Sequence, residues 1–157
     1  MKLYLVQHGE AVDKSVNADR PLSSEGEADV RCIASILSRA GAAPRKIVHS
    51  GKTRARQTAE LFSGTLEVQA GPTEISGIAP LDSVVEFASR ALEMAEDTMV
   101  CGHQPFIGRL VSQLLAGDEK MPLVEYSPGS VACLERDDEG NWVLRWFVRP
   151  ELCHPRR

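Results

Sequence analysis

The sequence predicts an α/β protein in three layers, with a mostly parallel central sheet, helices on both faces and an antiparallel edge. Two observations predict it. Short runs of strand formers at residues 3–6, 46–49 and 98–101 are each followed by apolar residues at helical spacing. The chain then closes with two strand-like runs, residues 130–134 and 142–148, joined by a turn at 137–140. A chain of 157 residues favours one domain spanning residues 1–157, a size that buries roughly 68–70% of its unfolded surface.

The opening stretch, Lys2-Leu-Tyr-Leu-Val-Gln-His-Gly-Glu10, organises the rest. Its apolar run stops at a polar tip, as a buried central strand does when it delivers a side chain, here His8, to a sheet edge. Gly9 leaves the adjacent backbone free to turn or to approach a ligand. Ser24 with Glu27 fits a capping box, so a helix is expected from near Glu25. Ile33, Ile36, Leu37 and Ala40 form its stripe, and Gly41 and Pro44 end it. Residues 46–49 read as the second strand, broken by Ser50-Gly51. A helix from about Thr53 has Ala55, Thr58, Ala59 and Phe62 on its inner face. Residues 66–69 read as a weak third strand and residues 71–80 as an irregular loop. Asp82 or Ser83 caps a third helix with the stripe Val84, Ala88, Ala91, Leu92 and Ala95. Residues 98–101 read as a buried strand ending at Gly102-His103. Pro105 suits the first turn of the next helix, whose stripe is Ile107, Leu110, Val111, Leu114 and Leu115. The polar tail from Pro150 is expected to be loosely ordered.

Composition bounds the function classes. With 43% hydrophobic and 25% charged residues, the chain reads as an ordinary globular protein. A net charge of -4 argues against a general nucleic-acid or membrane-surface binder. Cys32, Cys101, Cys133 and Cys153 form no C-x-x-C pair and fall mostly in apolar runs. They read as buried, reduced thiols of a cytoplasmic protein rather than zinc ligands. No apolar run approaches the ~18 residues of a membrane span.

In a parallel sheet of this kind, ligands bind outside the carboxyl ends of the strands. Three such ends carry polar side chains: Gln7-His8-Gly9, His49-Ser50 with Arg54 and Arg56 just beyond, and Gly102-His103 before a helix. Two histidines with one or two arginines suit a phosphoryl group. One imidazole attacks phosphorus while the other groups hold the developing charge. Each residue also has a plainer reading: Arg54 and Arg56 as a solvated helix face, His49 as a strand-end hydrogen-bonding residue, His103 as the cap of a turn.

Four segments in this order, LYLVQHGEA, DRPLSSEG, SGKTRARQTAE and VCGHQPFIGRLV, resemble the histidine phosphatase superfamily, which includes the phosphoglycerate mutases. The short length and the RPLS segment are most similar to its SixA branch of phosphohistidine phosphatases. The resemblance covers residues 2 to about 115. It implies that His8 is a transiently phosphorylated nucleophile, that Arg54 binds phosphate, and that His103 hydrogen-bonds the phosphoryl oxygens. Arg20, before Pro-Leu-Ser, takes a weaker substrate-binding role, and Gln7, Gly9 and Gly102 line the same site. No metal or organic cofactor is implied. The implied partner is a phosphohistidine-bearing phosphorelay or phosphotransfer protein, in signal transduction.

Two positions depart from the family pattern. Gln7 stands where the family has Arg before His-Gly, which removes a cation but leaves one neutral amide donor. Gly51, after Ser50, stands where the family's Ser-Pro has its proline, a change expected mainly to loosen a turn. The larger members supply a leaving-group proton from a Glu in an insertion, and this chain has no room for one. Glu74 and Asp82 lie near the corresponding loop without a spacing that marks either as catalytic. An imidazole leaving group needs no dedicated acid, so an N–P substrate is expected over a sugar phosphate. Two rivals stay open: a degenerate member that binds a phosphorylated ligand without turnover, and a general small-molecule phosphatase.

Overall fold

The computed structural model describes residues 1–154. Along the chain come β1 (Lys2–Gln7), α1 (Ser24–Arg39), β2 (Lys46–His49), α2 (Thr53–Thr65), β3 (Pro72–Glu74) and α3 (Val84–Leu92). They are followed by β4 (Thr98–Gly102), α4 (Phe106–Ala116), β5 (Val131–Arg136), β6 (Trp142–Val148) and a 3-10 helix, Pro150–Cys153. The strands form one sheet in the order β3-β2-β4-β1-β5-β6. β1 pairs in parallel with β4, β4 with β2, and β2 with β3. β5 runs antiparallel to β1, and β6 antiparallel to β5. The expected antiparallel edge is therefore the β5–β6 pair.

Side-chain alternation splits the core into two layers. Leu3 and Leu5 of β1 pack with Val48, Val100, Ala132 and Leu134 beneath α3 and α4. Tyr4 and Val6 pack with Ile47, Met99, Cys101, Val131 and Cys133 beneath α1 and α2. The central strands carry apolar residues at consecutive positions because both their faces are covered. Among the described residues, no helix is long and apolar enough to cross a membrane.

Several local expectations are corrected. Ser23, not Ser24, caps α1, its side chain accepting from the Gly26 N–H. The buried side of α1 is Val30, Ile33, Ala34 and Leu37, with Ala40 exposed beyond the helix end. Residues 66–69 are not a strand. Leu66 caps α2, and Leu66 and Val68 pack back onto the core, which imitates strand alternation without a ladder. The third strand lies instead in the expected loop, at Pro72–Glu74, with Pro72 on the sheet edge where no ladder donor is needed. Of the two expected caps of α3, it is Ser83 that accepts the Glu86 N–H; Phe87 joins Val84 and Ala91 on the buried face, while Leu92 is exposed and Ala95 lies past the helix. Pro105 is the N-cap of α4, immediately before its first turn.

The tail is ordered through His154. Its 3-10 helix packs on α1, the His154 Nε2 lies 2.6 Å from the Asp29 carboxylate, and Cys153 is disulfide-bonded to Cys32. That overturns the reduced reading for two of the four cysteines; Cys101 and Cys133 are free and buried. The partners are 121 positions apart, so spacing carried no sign of the pairing. Residues 155–157 of the expected tail lie outside the described residues.

Candidate active site

Because β1, β2 and β4 are parallel, their carboxyl ends share one sheet edge. Gln7 of β1 is in register with Gly102 of β4, so His8 and His103 leave the sheet side by side. Their rings are 5.1 Å apart, centroid to centroid, and tilted by 57°. The His8 N–H donates to the Gly102 carbonyl at 3.0 Å. The Gly129 N–H lies 3.0 Å from the Gln7 carbonyl oxygen and 3.1 Å from that of His8, which fixes the strand end from the other side.

The His8 side chain has a defined tautomer. Nδ1 is 2.7 Å from the Gly9 carbonyl oxygen, which can only accept, so Nδ1 carries the hydrogen. Nε2 then carries the ring's lone pair, which accepts from Arg54 Nε at 3.3 Å. Arg54 stands in the first turn of α2, held on the sheet by Ala55, Thr58, Ala59 and Phe62. His103 is buried, with Nε2 2.6 Å from the Ser50 hydroxyl. Its Nδ1 and the Gln7 Oε1 are buried without a hydrogen-bond partner among the described residues. Orphaned polar atoms cost about 1–3 kcal/mol each, and such atoms gather at functional sites.

The remaining expected residues divide. Arg20 sits at φ 47, a conformation rare for a residue with a Cβ. Its Nε donates to the Val12 carbonyl at 3.2 Å, and its charge lowers the pKa of His8, Arg54 and His103. Arg56 faces outward beside Glu60, on the solvated side of α2. His49 is buried, and its Nδ1 accepts the Gly51 N–H at 3.0 Å, a turn role outside the cluster. Gly9 and Gly102 frame His8 with their carbonyls. Gly9 also lets the loop press against α1, since a Cβ there would come 2.8 Å from Val30 Cγ2.

Gly51 differs from the expectation of a loosened turn. Its φ is 90, which proline, fixed near −65°, does not adopt, and a Cβ there would strike the Glu74 carboxylate. Asp82 accepts the Ala79 N–H at 2.8 Å. Glu74, Asp82 and Ser50 line a cavity of about 570 Å³, which Ser50 connects to His103. Sequence reasoning gave no role to Thr58 or Gln57. The Thr58 hydroxyl accepts the Gly9 N–H of the loop after β1, and Gln57 Oε1 accepts the Leu22 N–H at 2.7 Å, tying the Arg20 segment to α2. The sequence carried two signals for Thr58: a hydroxyl in an otherwise apolar stripe, and its place in the SGKTRARQTAE segment that carries the family resemblance.

Burial holds both imidazoles neutral. It lowers the His8 pKa to about 4, against the raising effect of the Gly9 carbonyl and together with Arg54 and Arg20. Burial lowers that of His103 to about 3, with help from His8, Arg54, Lys52 and Arg20. Burial also lowers His49, against Glu74 and Glu60. Between pH 6.5 and about 4 the unfolded chain therefore binds protons that the fold does not. Stability is complete above that window and falls as pH drops through it, by on the order of a few kcal/mol. Urea midpoints at pH 7, 6 and 5 check this, with a progressive fall expected. A midpoint unchanged down to pH 5 would contradict neutral buried histidines.

The fold is a mixed α/β sheet that gathers two histidines held neutral and an arginine at its carboxyl edge, an arrangement able to grip an oxyanion. The family model described as Histidine phosphatase superfamily (branch 1) matches residues 3–75. An uncharacterized protein of Picosynechococcus is 34% identical over 124 residues, covering 74% of each chain. The Phosphohistidine phosphatase SixA of Escherichia coli K12 is 26% identical over 155 residues, 96% of this chain and 94% of that one. In fold, the chain resembles a solved structure of the protein histidine phosphatase SixA complexed with tungstate, with a TM-score of 0.86 and 23% identity over 98% of this chain and 100% of that chain. It also resembles the putative phosphohistidine phosphatase SixA from Agrobacterium tumefaciens, with a TM-score of 0.79 and 21% identity over 95% of this chain and 97% of that one. The chain belongs to the histidine phosphatase superfamily.

Proposed function

We propose that this chain is a phosphohistidine phosphatase that works through a phosphorylated His8. The observation that carries the reading is the Nδ1–H bond of His8 to the Gly9 carbonyl, which leaves Nε2 as a lone pair beside Arg54. In an in-line step, Nε2 forms a bond to phosphorus as the bond to the substrate imidazole breaks, and solvent protonates the departing nitrogen. Arg54 and His103, with a weaker contribution from Arg20, hold the phosphoryl oxygens. Water then attacks the phosphoenzyme, releases phosphate and returns His8 to its starting form. With a pKa near 4, His8 stays nucleophilic well into the acid range.

An N–P substrate is favoured because neither nearby carboxylate is set up as an acid. Asp82 is engaged by the Ala79 N–H, and Glu74 rests against Gly51. The named relative in Escherichia coli supports the same substrate. The partner is a phosphohistidine-bearing phosphorelay or phosphotransfer protein, and the short loop between β3 and α3 leaves its surface room to approach. The test compares a labelled phosphohistidine peptide with aliphatic phosphate monoesters. Higher kcat/KM on the N–P substrate is expected; equal or higher values on sugar phosphates overturn the assignment.

The second reading, a binder without turnover, is favoured by Gln7, whose side-chain Oε1 is buried and unpartnered among the described residues, where the resemblance expects an arginine. Retention of intact labelled ligand in the same assay selects it. Under the enzyme reading, Gln7→Arg is expected to raise kcat/KM roughly 10–100-fold, because charged hydrogen bonds are about twice as strong as neutral ones. A variant no faster than wild type shows that Arg20 or Arg54 already supplies the charge.

A further inference from the structure

We infer that Thr58 is a positioning residue that sets the reactive tautomer of His8 and its register with Arg54. The inference rests on the reading of His8 as nucleophile. Thr58 is fully buried in α2, one turn after Arg54. Its hydroxyl donates to the Arg54 carbonyl at 2.7 Å, a local bond common for threonine in helices. The same oxygen accepts the Gly9 N–H at 3.0 Å, and this second bond is not local, since it spans 49 positions and joins α2 to the loop after β1.

Gly9 is thereby clamped. On one side lie Val30, Gly26 and Leu22, so close that a Cβ on Gly9 would meet each within 2.8–3.2 Å. Thr58 holds the backbone N–H from the other helix. Gly9 in turn supplies the carbonyl that takes the His8 Nδ1–H. One hydroxyl thus ties together the residue that fixes the nucleophile's tautomer and the helix that carries the arginine beside its Nε2. Without that oxygen the Gly9 N–H is buried and unpaired, which the loop relieves by moving. The Gly9 carbonyl then swings off Nδ1, and a share of His8 carries its hydrogen on Nε2, where it cannot attack.

The test compares Thr58→Val, which keeps the shape and loses the oxygen, with Thr58→Ser, which keeps the oxygen. Two readouts are taken: steady-state kinetics on a phosphohistidine peptide, and imidazole ¹⁵N shifts of His8 in the protein without substrate. Thr58→Val is expected to lower kcat about 10–100-fold with KM nearly unchanged, as misplacement of a reacting group does. Its His8 shifts should move away from the Nδ1–H tautomer, and Thr58→Ser should restore both. Wild-type kcat with an unaltered tautomer in Thr58→Val overturns the inference, and so does a Ser variant as impaired as Val, which would make the methyl group the cause. If Thr58→Val does not fold, Thr58→Cys, whose thiol bonds weakly, is read by the same criteria. Should wild type show no turnover at all, the proposed function fails, while the ¹⁵N shifts still decide the role of Thr58.

Discussion

Replacing His8 with alanine is expected to abolish turnover, with kcat on a phosphohistidine substrate falling by about 10⁴-fold or more. Loss of a nucleophile reaches about 10⁶ in kcat where the nucleophile forms a covalent intermediate. The fold should survive. His8 adds no apolar packing to either core layer, and its backbone bond to Gly102 does not depend on its side chain. Rapid quench with labelled substrate gives the sharper measurement. Wild type should carry label on protein in an acid-labile, base-stable linkage, and His8→Ala should carry none. The variant also lacks one of the imidazoles that resist protonation, so its stability should fall less steeply between pH 6.5 and 4. Undiminished turnover in His8→Ala would remove the residue on which the proposed chemistry depends.

The layer architecture and the His8–Arg54–His103 convergence were legible because both follow from local rules. Apolar runs of strand length ending in polar tips placed three strand ends, and a parallel sheet brings such ends to one edge. What stayed hidden depends on contacts between distant positions. The Cys32–Cys153 pairing exists because the final 3-10 helix packs on α1, and nothing in the local pattern at either cysteine encodes that. The misplaced third strand shows a second limit. Leu66 and Val68 alternate because both cover the end of α2, whereas the real edge strand, Pro72–Glu74, is too short and too exposed to show a period. Gly51 shows a third. Reading it as a missing proline invited the idea of a looser turn, yet its positive φ and the Glu74 carboxylate against it make it a residue the turn requires. Thr58 was visible as a helix residue and silent as a site residue, since its partner is a backbone N–H, which no sequence pattern displays.

Arg54→Ala is expected to lower kcat/KM by about 10²–10³-fold, the loss that follows removal of one preorganised donor to developing charge. With Gln7 neutral, Arg54 is the cation in direct contact with the His8 nitrogen, at 3.3 Å. Arg20 has its Nε committed to the Val12 carbonyl and acts on the cluster through its charge, so Arg20→Ala should cost less. Arg54→Lys separates charge from geometry. A lysine restores a point charge but not the planar fork that meets two oxygens at once, so it should recover phosphate affinity better than it recovers kcat. Calorimetric titration with inorganic phosphate, read beside kcat/KM for wild type, Arg54→Ala, Arg54→Lys and Arg20→Ala, resolves these contributions. The Arg54→Ala variant should bind phosphate much more weakly than Arg20→Ala. Equal weakening in the two would place the phosphate between them, with Arg20 swinging off Val12 on binding. Unchanged phosphate affinity in Arg54→Ala would mean that its bond to His8 serves only to hold the ring, and the anion would then have to be gripped by His103 and the backbone at the start of α2.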